Sequence, residues 1–338
     1  MYNKKLWISI TMTILLVVVG VTSCKNQQAD QYNNQFDRSQ NEDEIFPSKP
    51  IQIVVPYAPG GGTDSVARAF ARTANNYFVE PIVVVNKLGQ GGARGLAEGL
   101  FAKPDGYTVT LVTTEINTLA AFGIIDFNYS DIEPLMLLNS ETGVVVVSKD
   151  FPFDTIDELV KYVDTTNKVF TIGSAGKGSI WNLAAGKIEE KTDIIFEDQY
   201  YDGTSIAVLD VLGGKLDIVI AGISEVIDHI ENNQIKVLTV LSEERITELP
   251  EVKTFKESGY DFSMNTWRGL ALPKGVDPEI RDVLLDGFTK AVQDHDFIEL
   301  LAKLNLQYDY REKKTFEMFI EEDYLFYNNF KESAENIN

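Results

Sequence analysis

Residues 51–71 read IQIVVPYAPGGGTDSVARAFA. An apolar, β-branched run enters three consecutive glycines and leaves them with Val66, Ala69, Phe70 and Tyr77 at helical spacing. A strand that becomes a helix over so few residues opens a βα unit, and the pattern recurs. Runs 51–56, 82–86 and 108–113 are dense in Val, Ile and Thr, and helical patterns over 65–77 and 92–102 separate them. Such alternation predicts a parallel sheet with right-handed crossovers. A second series follows, with strands at 144–148, 168–173, 194–196, 216–221 and 236–241 and helices at 156–163, 179–191, 205–213 and 225–232. A strand near 267–272 and helices over 278–294, 296–304 and 315–333 complete the chain. No long linker divides the two series, so the sequence predicts lobes joined by strands that cross between them.

In open α/β sheets, ligands sit beyond the carboxyl ends of the strands, where helices begin. Gly60, Gly61 and Gly62 leave no Cβ between backbone and ligand, and Thr63 and Asp64 are residue types that cap helices. The next turn, NKLGQGGARG, gathers Gly89, Gly91, Gly92 and Gly95. A third, GSAGKGS, places Gly173, Ser174, Gly176, Gly178 and Ser179 between a strand and a helix of the second series. Each turn alone is ordinary turn chemistry. Together they predict backbone N–H groups and positive helix ends facing one crevice, a site for a carboxylate or phosphate. Gly89, Gly91 and Gly95, with Glu115 about 20 residues on, also resemble a dinucleotide fingerprint. That reading ranks lower, because the chain carries export signals. GSAGKGS is no phosphate loop either, since Gly178 stands where a magnesium-binding Ser or Thr belongs.

Export is written in residues 1–23, MYNKKLWISITMTILLVVVGVTS, where two lysines precede a long apolar run. Val21-Thr22-Ser23-Cys24 resembles a bacterial lipobox, which makes Cys24, the sole cysteine, the expected lipidation site. An ordinary membrane anchor is the alternative. Residues 24–49 are rich in Asn, Gln, Asp and Glu and predict a disordered tether. The expected location is extracytoplasmic, held to the bacterial membrane by lipid. A net charge of −21 argues against nucleic acid and against adhesion to anionic lipid.

Catalysis has few places to live. His229 and His295 are the only histidines, both on polar helix faces, and one cysteine cannot build a zinc site with them. A Gly-x-Ser-x-Gly elbow is absent, and the pairs Glu189/Glu190 and Glu321/Glu322 are adjacent and diverge. Neither enzymatic activity nor a cofactor or metal is expected; an exported α/β enzyme is the weaker alternative.

KPIQIVVPYAPGGGTDSVARAFA, VVVNKLGQGGARGLAEGLFAKPDGYTV, IGSAGKGSIWNLAAG, VLGGKLDIVIAGIS and TWRGLALPKGVDPEI occur in this order along the chain. Together they resemble the substrate-binding lipoproteins of tripartite tricarboxylate transporters, the Bug family. The resemblance implies an α/β, two-lobed periplasmic-binding fold of type II-like form, each lobe a mainly parallel sheet flanked by helices, with the ligand cleft between. It divides the folded chain into residues 50–140 with 266–338, and residues 141–265, hinged near Ser140 and Trp267. It also implies a small organic acid as ligand, di- or tricarboxylate-like, delivered to transmembrane permease subunits; an accessory role beside a sensor kinase is the alternative. Carried over by motif, the ligand-binding residues are Gly61, Gly62, Thr63 and Asp64 from the first loop, Gly91, Gly92 and Ala93 from the second, and Ser174 and Ser179 from the opposite turn. Tyr57, Thr114, Asn117 and Thr204 join them at strand ends. The chain departs from the family at Trp181-Asn182, at Asp202 where a basic residue is usual, and at Arg94, which is either a carboxylate contact or a solvated arginine.

Overall fold

The computed structural model describes residues 46–166 and 168–335. The expected signal segment, Cys24 and residues 24–45 of the expected tether lie outside the described residues. Along the chain run β1 (Ile51–Val55), α1 (Gly62–Ala74), β2 (Ile82–Asn86), α2 (Ala93–Leu100), β3 (Thr108–Thr113) and α3 (Glu115–Ala121). Then come β4 (Ile132–Ser148), α4 (Ile156–Thr166), β5 (Val169–Ser174), α5 (Ile180–Thr192), β6 (Ile195–Tyr200), α6 (Thr204–Leu212) and β7 (Ile218–Gly222). The remainder is α7 (Ile227–Glu231), β8 (Ile235–Val240), β9 (Asn265–Pro273), α8 (Pro278–Gln293), α9 (His295–Lys303), β10 (Gln307–Arg311) and α10 (Lys313–Glu335).

The strands follow the order β2-β1-β3-β9-β4-β7-β5-β6, with β10 and β8 also pairing with β4. The parallel units expected from the strand–helix alternation are present: β1 lies parallel to β2 and β3, and β5 parallel to β6 and β7. Antiparallel pairings of β4 and β9 extend each unit, so both halves are mixed α/β sheets and not mainly parallel ones. The join is β4 itself. Its first part pairs with β9, as Leu137 with Gly269 and Ser140 with Trp267, while Gly143 to Val147 pair with β7. The sequence reading predicted only the stretch 144–148 of this strand, and it missed β10 and α3.

Alternation along β4 explains why both sheet faces are covered. Val145 and Val147 pack with Phe170, Ile172, Trp181 and Phe255 on one face. Val144 and Val146 pack with Val208, Val219 and Ile235 on the other. Period-2 side chains on a strand buried on both faces give this division directly. In the first half, Leu96, Val112, Ile116, Leu137 and Trp267 form a core with Phe316 and Ile320 of α10. Further along α10, Tyr327 enters the core of the second half, so one helix braces both.

Candidate functional site

The first and third glycine turns, the starts of α3 and α6, the segment after β7 and the start of β9 surround a cavity of about 40 Å³. Tyr57, Gly61, Gly62, Thr63, Glu115, Ala175, Trp181, Thr204, Ser205, Glu225, Thr266 and Arg268 are among its lining residues.

The first turn is built for close approach. Helix α1 begins at Gly62 with Gly61 as its N-cap in extended conformation. Thr63 and Asp64 therefore sit within the first turn and are not the caps that their residue types suggested. A Cβ at Gly62 would lie 2.8 Å from the Arg268 guanidinium and 3.3 Å from Ser224 Oγ, so a side chain there would displace the guanidinium. Thr63 Oγ1 accepts a hydrogen bond from Arg268 Nε at 3.0 Å. Asp64 faces away from the cavity: its carboxylate accepts from Gly60 N at 2.9 Å, Arg68 Nε at 2.8 Å and Asn86 Nδ2 at 2.9 Å. Burial raises the Asp64 pKa, but these donors outweigh it and hold the carboxyl below its ordinary value. Asp64 fastens the loop to β2.

The second turn meets the third. Gly91 (φ 64°) and Gly92 (φ 97°) occupy left-handed conformations that other residues rarely adopt. A Cβ on Gly92 would come within 2.7 Å of Tyr57 Oη, and the Tyr57 hydroxyl donates to Gly91 O at 3.1 Å. Burial and the nearby Glu115 push the Tyr57 pKa well up, which keeps the phenol a donor. Gly91 also lines an adjoining cleft with Ala175, Gly176, Tyr201 and Asp202. Ala93 is buried at the start of α2.

In the third turn, Ser174 ends β5 and Ser179 caps α5; both hydroxyls are buried without a partner. Thr204 lines the cavity at the start of α6.

Three further expected residues, Thr114, Asn117 and Arg94, bond other parts of the protein. Thr114 Oγ1 accepts from Trp267 N at 2.9 Å and lies 3.3 Å from Thr266 Oγ1. It joins α3 to β9. Asn117 donates to Ile320 O at 2.9 Å and to Asp323 at 2.8 Å, anchoring α10. Burial pushes the Asp323 carboxyl up to about 6. Arg94 is exposed, pairs with Glu98 at 2.8 Å and lines a separate surface groove.

The strongest polar groups at the cleft are Glu115, read in the sequence only as a weak dinucleotide signal, and Glu141, Glu225 and Arg268, which motif reading passed over. Arg268 of β9 is buried and bonds Glu141 at 2.8 Å and Asn139 at 3.3 Å. Glu141 also accepts the Ser224 N–H at 2.8 Å. From α3, Glu115 accepts the Ile180 N–H at the start of α5 at 3.2 Å. In return, Glu225 beyond β7 accepts the Gly62 N–H at the start of α1 at 3.3 Å and the Gly222 N–H at 3.4 Å. Each half thus places a glutamate on a helix N-terminus of the other, where the partial positive charge favours a carboxylate. Desolvation, with Glu141 nearby, pushes the Glu225 carboxyl up to about 7 against the pull of Arg268 and its two amides. A sequence signal did exist: in WRGLALP, NSETGVVVV and TTEIN, single charges interrupt apolar strands or their ends. Buried charges require partners.

Residues 66–329 match the family model described as the tripartite tricarboxylate transporter family receptor. A crystal structure of a TctC solute-binding protein from Polaromonas, without ligand, is 35% identical, with 85% of this chain and 99% of that one covered and a TM-score of 0.62. The periplasmic binding protein BugD is 27% identical over 86% and 99% of the two chains, with a TM-score of 0.81. MatC from Rhodopseudomonas palustris, a structure with bound malate, shares the fold at 24% identity, 84% and 99% coverage and a TM-score of 0.79. The architecture is the two-lobed α/β fold of periplasmic binding proteins, and this chain belongs to the tripartite tricarboxylate transporter receptor family of solute-binding proteins.

Proposed function

We propose that the chain is a lipid-anchored extracytoplasmic receptor that closes around a small organic acid and presents it to a tripartite tricarboxylate-type permease. The observation that carries this reading is the carboxylate of Glu225 on the Gly62 amide. A carboxylate of the protein itself lies on an amide of the first glycine turn, which supports reading the turn as carboxylate-receptive. A ligand carboxylate competes for the same N-terminal amides of α1, with Thr63 and the second turn beside it. MatC, with its bound malate, supports the ligand class.

A cavity of about 40 Å³ holds only a few waters, at roughly 10–15 Å³ each. Entry of an acid therefore requires the halves to part, and parting withdraws Glu225 from Gly62. The proposed lobes are residues 50–140 with 266–338, and residues 141–265. Bending occurs where β4 and β9 pass between them, near Ser140 and Trp267.

The overall charge of −21 does not oppose anion binding. Exposed charges are screened beyond roughly 8 Å at physiological salt, while helix termini in a closed cleft are screened much less. A thermal-shift panel of di- and tricarboxylates, amino acids and sugars tests the reading. A ligand at 100 times its Kd adds about 2.7 kcal/mol and raises the midpoint. Stabilisation by sugars with no response to any acid contradicts it.

A further inference from the structure

Resting on the acid-receptor reading, we propose that the ligand carboxylate is bound together with one proton, held between it and Glu225, so that the receptor captures a proton with each acid. Three carboxylates converge at the cleft and one cation answers them. Glu115, Glu225 and Arg268 line the cavity, and Arg268 is the one cation in its wall among the described residues. That guanidinium is already joined to Glu141 at 2.8 Å. A ligand carboxylate on the Gly62 amide takes the place that Glu225 Oε1 now holds at 3.3 Å, in a cavity of about 40 Å³. Two carboxylates drawn to one helix start in so small a space cannot both stay ionised, and a shared proton removes the repulsion.

The donors around each acid give the proton its address. Glu141 has the guanidinium and the Ser224 N–H, both at 2.8 Å, and Glu115 has the Thr113 hydroxyl at 2.5 Å and the Ile180 N–H at 3.2 Å. Glu225 has only the two longest of these contacts, to Gly62 N–H at 3.3 Å and Gly222 N–H at 3.4 Å. When a ligand enters, Glu225 Oε2 keeps the Gly222 amide. Its Oε1, released from Gly62, takes a proton from solvent and donates it to the ligand oxygen in a short O–H···O bond. A further donor is free beside Gly62, where Ser224 Oγ is buried without a partner. The charged groups facing Glu225 are Glu141 from β4, Arg268 from β9 and, across the cavity, Glu115 from α3; α6 presents the neutral Ser205 hydroxyl. In α7, Asp228 is exposed and His229 bonds Gln234 at 2.7 Å, while Asp64 of α1 is engaged by Gly60, Arg68 and Asn86. Burial and Glu141 already push the Glu225 carboxyl up to about 7 with no ligand present, so a further negative charge beside it favours the protonated form up to higher pH.

The test is calorimetric titration of the full-length chain in detergent with succinate, L-malate and citrate at pH 8, each in two buffers of different ionisation enthalpy, and again at pH 9. At least one acid is expected to bind with uptake of about one proton, and its Kd to rise about tenfold from pH 8 to pH 9. Glu225→Gln, isosteric and always a donor, should take up less than about 0.3 proton and bind with a Kd that is flat between the two pH values. The wild-type protein alone decides between proton uptake and none. Binding of these acids without uptake, at a Kd independent of pH, overturns the inference and leaves the acid-receptor reading standing. Uptake that persists in Glu225→Gln overturns the assignment of the proton to Glu225. No binding of any of the three acids overturns the inference, and binding of a sugar in their place overturns the acid-receptor reading as well.

Discussion

Glu225 and Gly62 meet across the cleft, the carboxylate of one accepting the amide of the other at 3.3 Å. Glu115 and Ile180 repeat the contact in the opposite sense at 3.2 Å. The two halves of the molecule are therefore latched through helix N-termini, and the proposed function gives one of these, the start of α1, to the ligand. Latching and binding draw on one set of donors, so stability, pH and ligand affinity are coupled at Glu225.

Stability should fall with rising pH on account of Glu225. Its carboxyl is pushed from an ordinary 4.5 to about 7, so the folded protein holds the proton more tightly than the unfolded chain. The contribution, about 3 kcal/mol, is fully present below about pH 4.5 and lost as pH rises through 7. Asp323, pushed up to about 6, acts in the same direction. Asp64, held low, acts oppositely but only in more acid solution. Denaturant unfolding at pH 5 and pH 8 checks this: Glu225→Gln should show a smaller loss between the two than the wild type.

Removing the Arg268 side chain should be costly. Arg268→Met leaves Glu141 buried beside Glu225 without its cation, and a broken buried pair costs about 3–5 kcal/mol. The double variant Arg268→Met with Glu141→Gln should recover part of that loss. Equal instability of single and double variants in urea melts would show that the pair is not coupled.

The loops test differently. Asp64→Ala removes the anchors to Gly60, Arg68 and Asn86 and should cost about 2–3 kcal/mol, with weaker acid binding as the first turn loosens. Gly92→Val drives a side chain into Tyr57 at a left-handed position and should abolish binding for an added strain of about 1–3 kcal/mol. Unfolding midpoints measured beside titrations separate the two effects.

Arg94→Ala is the control. Its partner Glu98 lies one helical turn away on the surface, so stability should change by no more than about 0.5 kcal/mol and acid affinity should stay unchanged. Titration of the variant with the best acid from the panel checks it.

What the sequence made legible was local. Three glycines in succession announce a turn with no room for side chains, and Gly62 proves tight because Arg268 lies over it. Strand–helix alternation likewise predicts β1, β2 and β3 from their own residues. The long strand β4 was visible only in its last stretch, 144–148, since Pro134 and the polar Asn139-Ser140-Glu141 interrupt its apolar run, and pairing with β9 is what holds the earlier part extended. Glu115, Glu141, Glu225 and Arg268 lie far apart in the chain and acquire meaning only when β4, β7 and β9 bring them to one wall. Asp64 shows the converse: its place in a recognisable loop suggested a ligand contact, yet its carboxylate is spent on its own loop, on Arg68 and on β2.

The most direct measurement is a crystal structure of the chain with the tightest-binding acid from the panel. The account predicts the ligand carboxylate on the first-turn amides of α1, with Glu225 no longer on Gly62. An acid lodged outside this cleft, with the Gly62–Glu225 contact intact, would contradict it.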